Sequence, residues 1–212
     1  SFSNMGQICI TVNRILVHEA VHKRFVEALV ELTSSIKLGH GMQPGIEYGP
    51  VLNGSVIDRI RRHIDDAIAR GGKLVAGGDV ANDKDLKKGF FFRPTLIDQA
   101  PLDSLPMTEE TYGPLAAIHE YQSDNELIQV ANSLPYGLAA YIYSEDLEQA
   151  WALADQLEFG GIGINVNDTS ELQAPFGGWK LSGMGRELGP EGLQTYLQPK
   201  HMRIRVESIV SA

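Results

Sequence analysis

Residues 115–166 read LAAIHEYQSDNELIQVANSLPYGLAAYIYSEDLEQAWALADQLEFGGIGINV, and the order of apolar runs in this stretch sets the fold class. Leu115 to Tyr121 has strand length and composition. Asp124 to Ser133 follows with helical spacing and is stopped by Pro135. Ala139 to Tyr143 reads as a second strand. Glu145 to Glu158 reads as a helix with Ser144 as N-cap and Gly160 after it, and Ile162 to Val166 as a third strand. Strands that alternate with helices pair in parallel, because the helix is the crossover a parallel pair needs. The stretch therefore predicts an α/β domain with layered helices and a mostly parallel sheet.

Upstream, Val12 to Val17 is a short β-branched run. Glu19 to Leu38 has helical spacing, with Phe25, Leu29, Leu32 and Ile36 on one face and Gly39 as a plausible C-cap. Ser55, with Asp58 three residues on, opens a second helix striped by Val56, Ile60, Ile64 and Ala67 or Ile68, which Gly71-Gly72 ends. Lys73 to Ala76 and Phe91 to Ile97 read as strands around a polar loop from Asp79 to Lys88. In the tail, Met202, Ile204 and Val206 alternate with Arg203, Arg205 and Glu207, a strand pattern of period two. No internal repeat or low-complexity tract interrupts the chain, so one α/β domain is expected.

Composition narrows the function class. The net charge is −9, from 27 acidic and 18 basic residues, which argues against a nucleic-acid surface. The longest basic cluster, Arg59-Ile60-Arg61-Arg62-His63, lies in a helical pattern with Asp58, Asp65 and Asp66 and reads as a solvated, salt-bridged face. No apolar run approaches the ~20 residues that span a bilayer. The single cysteine, Cys9, excludes an internal disulfide and a thiolate metal site, so no metal is expected and a reducing cytoplasm is the expected location. The chain begins with neither a Met nor a signal pattern, and is expected to start inside a longer protein.

Phe159-Gly160-Gly161-Ile162-Gly163-Ile164-Asn165 superficially resembles a dinucleotide loop. Val166 stands where a third small residue is needed, and the order runs from helix to strand, the reverse of the requirement. Gly178 to Gly183 likewise fails the phosphate-loop pattern. A dinucleotide's main binding module is therefore expected elsewhere.

Cys9 lies in FSNMGQICI, residues 2–10. Free cysteines are usually small buried hydrophobes. Here Gly6 permits a turn, and the thiol falls between that bend and the start of an apolar strand, where backbone N–H groups can converge on a substrate. FSNMGQICI resembles the catalytic-cysteine motif of the aldehyde dehydrogenase superfamily, with Asn, Gly, Gln and Cys in its order and spacing. Three further segments follow in that family's order. Thr108-Glu109-Glu110-Thr111-Tyr112-Gly113-Pro114 resembles its Glu-Glu-x-Phe-Gly-Pro segment. Asn132-Ser133-Leu134-Pro135-Tyr136-Gly137-Leu138 resembles its Asn-x-x-x-Tyr-Gly-Leu segment. Residues 174–187, APFGGWKLSGMGRE, resemble its Pro-Phe-Gly-Gly-x-Lys-x-Ser-Gly-x-Gly-Arg-Glu run, which Gly192-Leu193 and Tyr196 continue.

The resemblance implies an NAD- or NADP-dependent oxidation of an aldehyde to a carboxylate. The Cys9 thiolate forms a thiohemiacetal, hydride loss leaves a thioester, and a Glu-activated water releases the acid. It makes Cys9 the nucleophile and Glu110 the acceptor of hydrogen bonds from the nicotinamide ribose hydroxyls. Tyr112 stands where the family has a Phe beside the nicotinamide. Ile8 and Phe176 match positions lining the substrate path. Asn4 is expected to shape the cysteine loop, and Lys180 and Arg186 to be structural or interface residues rather than catalytic ones.

The family's general-base segment, of Leu-Glu-Leu-Gly-Gly-Lys type, has no match in the 212 residues. The resemblance thus implies a catalytic domain over residues 1–200, an oligomerisation arm over 201–212 that assembles a homodimer or homotetramer, and an NAD(P)-binding domain that this chain lacks. The chain alone is expected to be inactive. Succinate-semialdehyde members carry Arg where Ser3 stands, so Ile8 and Phe176 favour an aliphatic or aromatic aldehyde. Two other readings stay open: a cysteine hydrolase, needing a His beside Cys9, and a non-catalytic oligomerisation remnant.

Overall fold

The computed structural model describes residues 1–83 and 85–205. Its elements are β1 (Arg14–His18), α1 (Glu19–Ser35), α2 (Gly54–Ala69), β2 (Lys73–Ala76), β3 (Thr95–Asp98), α3 (Leu105–Thr108), β4 (Leu115–Tyr121), α4 (Asp124–Asn132), β5 (Tyr136–Gly137), β6 (Ala139–Ile142), α5 (Leu147–Ala154), β7 (Gly161–Ile164), β8 (Trp179–Lys180) and α6 (Gly189–Gln194). Four strands form one sheet in the order β1-β4-β3-β2, and β6 and β7 form a separate pair. β4 runs parallel to both β1 and β3, and β6 parallel to β7. Only β2 against β3 is antiparallel within these sheets, as expected of strands with no helix between them.

The core lies between the sheet and α2. Ile60, Phe92 and Ile97 are fully buried there, each contributing roughly 1.5–3 kcal/mol of burial free energy, while fully buried Leu96 packs on the opposite face of the sheet with Phe2, Ala116 and Leu29 of α1. β3 is buried along its whole length. It starts at Thr95 rather than at Phe91, because Pro94 has no N–H to give to a ladder.

Several boundaries differ from the sequence expectation, each for a local reason. α2 is capped by Asn53, whose side chain accepts from the Val56 N–H, while the Ser55 hydroxyl is used up donating to that same Asn53 oxygen at 2.7 Å. α5 is capped by Asp146 and spans Leu147–Ala154 only. Ser144, the expected cap, instead has its backbone held by the Asn165 side chain, which accepts from its N–H at 3.0 Å and donates to its C=O at 2.9 Å. α1 stops at Ser35, before Gly39, and turns His22, Val26 and Thr33 inward, leaving Phe25 and Leu32 exposed. The basic cluster on α2 is not a uniformly solvated face: His63 is completely buried, and Arg59 turns to the Thr111 carbonyl.

Among the described residues no helix is long and apolar enough to cross a membrane. Residues 201–205 are exposed and belong to no strand, and the rest of the alternating tail lies outside the described residues.

Candidate active site

The cysteine loop begins with three successive left-handed residues, Asn4 (φ 47°), Met5 (φ 57°) and Gly6 (φ 70°). Asn and Gly tolerate this region; Met does not, and its side chain is buried to 2% exposure as compensation. The turn closes with the Gln7 N–H donating to the Asn4 carbonyl at 3.1 Å. Gln7 Oε1 then accepts from the Leu52 N–H at 2.9 Å, which anchors the loop to the segment leading into α2. Asn4 thus shapes the loop that carries Cys9.

Cys9 follows, exposed, inside a tight turn closed by the Thr11 N–H to the Ile8 carbonyl at 2.9 Å. Its own backbone N–H has no acceptor among the described residues. A cleft of about 800 Å³ opens beside it, lined by Cys9, by Arg14 and Leu16 of β1, by Thr108 to Glu110 and by the whole of β6. Cys9 and Glu110, 101 positions apart in the chain, therefore share one cavity. The Glu110 side chain is exposed and accepts no hydrogen bond from any described residue, so its oxygens are available to a diol. That donor-free carboxylate fits the ribose of a nicotinamide cofactor.

The two loops touch directly. A Cβ on Gly6 would lie 2.1 Å from the Gly113 carbonyl oxygen, so the cysteine loop is seated against the end of the Glu109–Pro114 segment. Tyr112, in that segment, has φ 48° and is partly exposed. Ile8 is half-buried beside Cys9. Phe176 is half-buried and pairs its backbone with Glu187. None of Ile8, Tyr112 or Phe176 lines the cleft.

Two residues that the sequence did not single out also line this cleft. Tyr141 on β6 donates its hydroxyl to the Ile10 carbonyl at 3.0 Å. Burial, together with Asp168 and Cys9, pushes its phenol above the usual range. Arg14 on β1 donates to the Val130 and Ala131 carbonyls at 3.1 and 2.9 Å near the C-terminus of α4, where Val130 also accepts from Ser133. The alternation of Tyr141 within β6 was the only available signal for it. No histidine lines the cleft, and among the described residues no cluster of three metal-ligating side chains exists. Lys180 and Arg186 are structural: Lys180 donates to the Asn132 and Leu134 carbonyls and pairs with Glu158, and Arg186 donates to the Gly178 and Gly185 carbonyls.

Comparison with known proteins agrees with this geometry. Residues 1–202 match the aldehyde dehydrogenase family. The chain is 42% identical over 200 residues to a succinate semialdehyde dehydrogenase of Acinetobacter baylyi, covering 94% of this chain and 41% of that protein. It is 37% identical to a glutarate-semialdehyde dehydrogenase of Pseudomonas putida, covering 97% and 42%. The crystal structure of betaine aldehyde dehydrogenase from Staphylococcus aureus in complex with NAD+ superposes with a TM-score of 0.92 at 36% identity, covering 100% of this chain and 43% of that one. The chain spans about two fifths of the length of these relatives. It belongs to the aldehyde dehydrogenase family.

Proposed function

We propose that this chain is the cysteine-bearing catalytic part of an NAD(P)-dependent oxidoreductase that converts an aldehyde to a carboxylate. The observation that carries the reading is the shared cleft of Cys9 and Glu110. The Cys9 sulfur adds to the aldehyde carbon, and the backbone N–H of Cys9 donates to the oxyanion that forms. Glu110 would hold the ribose hydroxyls of NAD(P)+, with Tyr112 two residues on in the same segment, and the nicotinamide would supply a two-electron acceptor. The acyl group left on Cys9 is a thioester that water releases. The base for that water, and a second oxyanion donor, are assigned to protein outside these 212 residues, since no family-type base segment occurs within them.

Aldehyde-dependent NAD(P)H formation, followed in the intact protein and its Cys9→Ser variant, tests the reading. A loss on the order of 10⁴ or more is expected, with an acyl adduct on Cys9 of the wild type visible by mass spectrometry. Unchanged turnover in the variant would refute it. The 212-residue chain alone is expected to reduce no cofactor. The hydrolase alternative finds no histidine in the cleft to serve Cys9.

For the substrate, two of the relatives named above are semialdehyde dehydrogenases, for succinate and glutarate semialdehyde, aldehydes that bear a carboxylate at the far end. In this chain Ser3 offers no charge for one. The only Arg or Lys lining the cleft, Arg14, is already bonded to two carbonyls. We therefore favour an aliphatic or aromatic aldehyde, for which Leu16, Leu153 and Leu157 in the cleft lining offer apolar contacts. A kcat/KM for succinate semialdehyde orders of magnitude above those for hexanal and benzaldehyde would reverse that choice. A reducing compartment such as the cytoplasm suits the lone thiol. Residues 201–212 are assigned as an arm for homodimer or homotetramer assembly, and a monomer in analytical ultracentrifugation would count against it.

A further inference from the structure

Glu110 has a free side chain on a backbone that is held from three sides. Before it, the Glu109 carboxylate takes the Arg62 guanidinium at 2.9 Å. After it, fully buried Thr111 gives its carbonyl to Arg59 Nε at 2.6 Å, and its hydroxyl lies 2.9 Å from His63 Nδ1. Further on, Gly113 presses against Ile60, whose Cδ1 would be 2.8 Å from a Cβ there. Residues 59, 60, 62 and 63 are one helical face of α2, at i, i+3 and i+4 spacing. His63 Nε2 is buried and lies 3.6 Å from the Glu109 carboxylate. This arrangement fits the tautomer that carries its proton on Nε2, toward Glu109, while Nδ1 accepts from the Thr111 hydroxyl.

We propose that Arg59 and His63 are positioning residues for cofactor binding: through Thr111 they fix the backbone that aims the Glu110 carboxylate into the cleft. The inference rests on the reading of Glu110 as the ribose acceptor. A preordered carboxylate binds a diol without first losing conformational freedom, and a small misplacement of the nicotinamide lowers the rate of hydride transfer. Tyr112, held at φ 48° immediately after Thr111, is a residue that a relaxed loop would release to a commoner conformation. The clamp acts at the cofactor's end of the cleft and touches Cys9 only indirectly.

The test uses the intact protein with His63→Leu, Arg59→Met, His63→Asn and, as reference, Glu110→Gln. KM for NAD+ and NADP+ and kcat are measured with one aldehyde, and Cys9 is alkylated with iodoacetamide in the absence of cofactor. His63→Leu and Arg59→Met are expected to raise the cofactor KM roughly tenfold, the kinetic equivalent of one buried hydrogen bond. Glu110→Gln should shift it in the same direction, and cofactor-free alkylation should be unchanged throughout. His63→Asn keeps an acceptor near the position of Nδ1 and should recover most of the loss. A wild-type cofactor KM in both clamp variants, beside a raised one in Glu110→Gln, overturns the clamp alone. Alkylation that slows in parallel with KM overturns it too, since the effect would then be general unfolding, and half-buried Arg59 guards against that where His63→Leu fails to fold. An unchanged KM in Glu110→Gln removes the ribose assignment and the clamp with it.

Discussion

Replacing Gly6 by Ala probes the seam between the cysteine loop and the Glu109–Pro114 segment. The new methyl would sit 2.1 Å from the Gly113 oxygen, 2.5 Å from its carbonyl carbon and 3.1 Å from the Pro114 nitrogen. All three are backbone atoms, so no rotamer change relieves the overlap. Gly6 also has φ +70°, where an alanine costs about 1–2 kcal/mol more than glycine. Forcing the two loops apart adds about 1–3 kcal/mol of overpacking, for a total of roughly 2–5 kcal/mol against a domain stability of about 5–15 kcal/mol. Gly45 supplies the control, because its φ is +78° and nothing lies within 4 Å of a Cβ there. Gly45→Ala therefore carries the conformational cost without the clash. Equilibrium unfolding of both variants in urea, at constant m-value, gives the difference directly. Equal destabilisation of the two variants would refute the direct contact between these loops, and with it the account of how Cys9 and Glu110 are held in one cleft.

Other perturbations have equally definite outcomes. His22 is buried and presents Nε2 to Asp98 at 2.7 Å and Nδ1 to Glu120 at 3.0 Å. His22→Leu leaves two carboxylates facing an apolar side chain and should cost about 3–5 kcal/mol in chemical denaturation; a loss below 1 kcal/mol, by the same principle, would mean that the triad is not intact. Arg14→Met removes its two charged hydrogen bonds to the Val130 and Ala131 carbonyls and should cost about 2–3 kcal/mol, with faster hydrogen exchange at α4 than at β3 as its local mark. Burial first, then Arg62, with Arg59 on the same helix, hold the His63 imidazole below its usual range against the opposing pull of Glu109. The unfolded state therefore binds the proton more readily. The stability His63 contributes is complete above pH ~6.5 and falls as the pH drops below that value toward its lowered folded pKa. His63→Asn should flatten that part of the stability–pH curve, and an unchanged slope would contradict the assignment.

The sequence carried the strand–helix alternation because that signal is local: β2 and β4 have the expected bounds, and β6 and β7 differ from theirs by one or two residues. Caps were less legible, since Asn53 and Ser55, or Ser144 and Asp146, are equally good capping residues two positions apart and only the final backbone chooses between them. The inward face of α1 was misjudged because the stripe of Phe25 and Leu32 competes with that of His22 and Val26, and pairing with Asp98 and Glu120 draws the polar His22 inside. At the site, the motifs led to Cys9 and Glu110. Arg14 and Tyr141 were missed because their partners lie 116 and 131 residues away, a distance over which periodicity carries no information.

The separation of the β6–β7 pair from the four-stranded sheet also bears on the order in which the chain folds. Ala139 faces Gly161 across the β6–β7 pair, whereas Arg14 faces Ala117 across β1–β4. The second closure spans roughly five times as many residues, which makes it about 1.4 kcal/mol more costly in loop entropy. The β6–α5–β7 crossover is thus positioned to form early as a local unit. β1, which leads back to Cys9, joins only after the long loop closes, so the Cys9 thiol is set in place among the last events of folding.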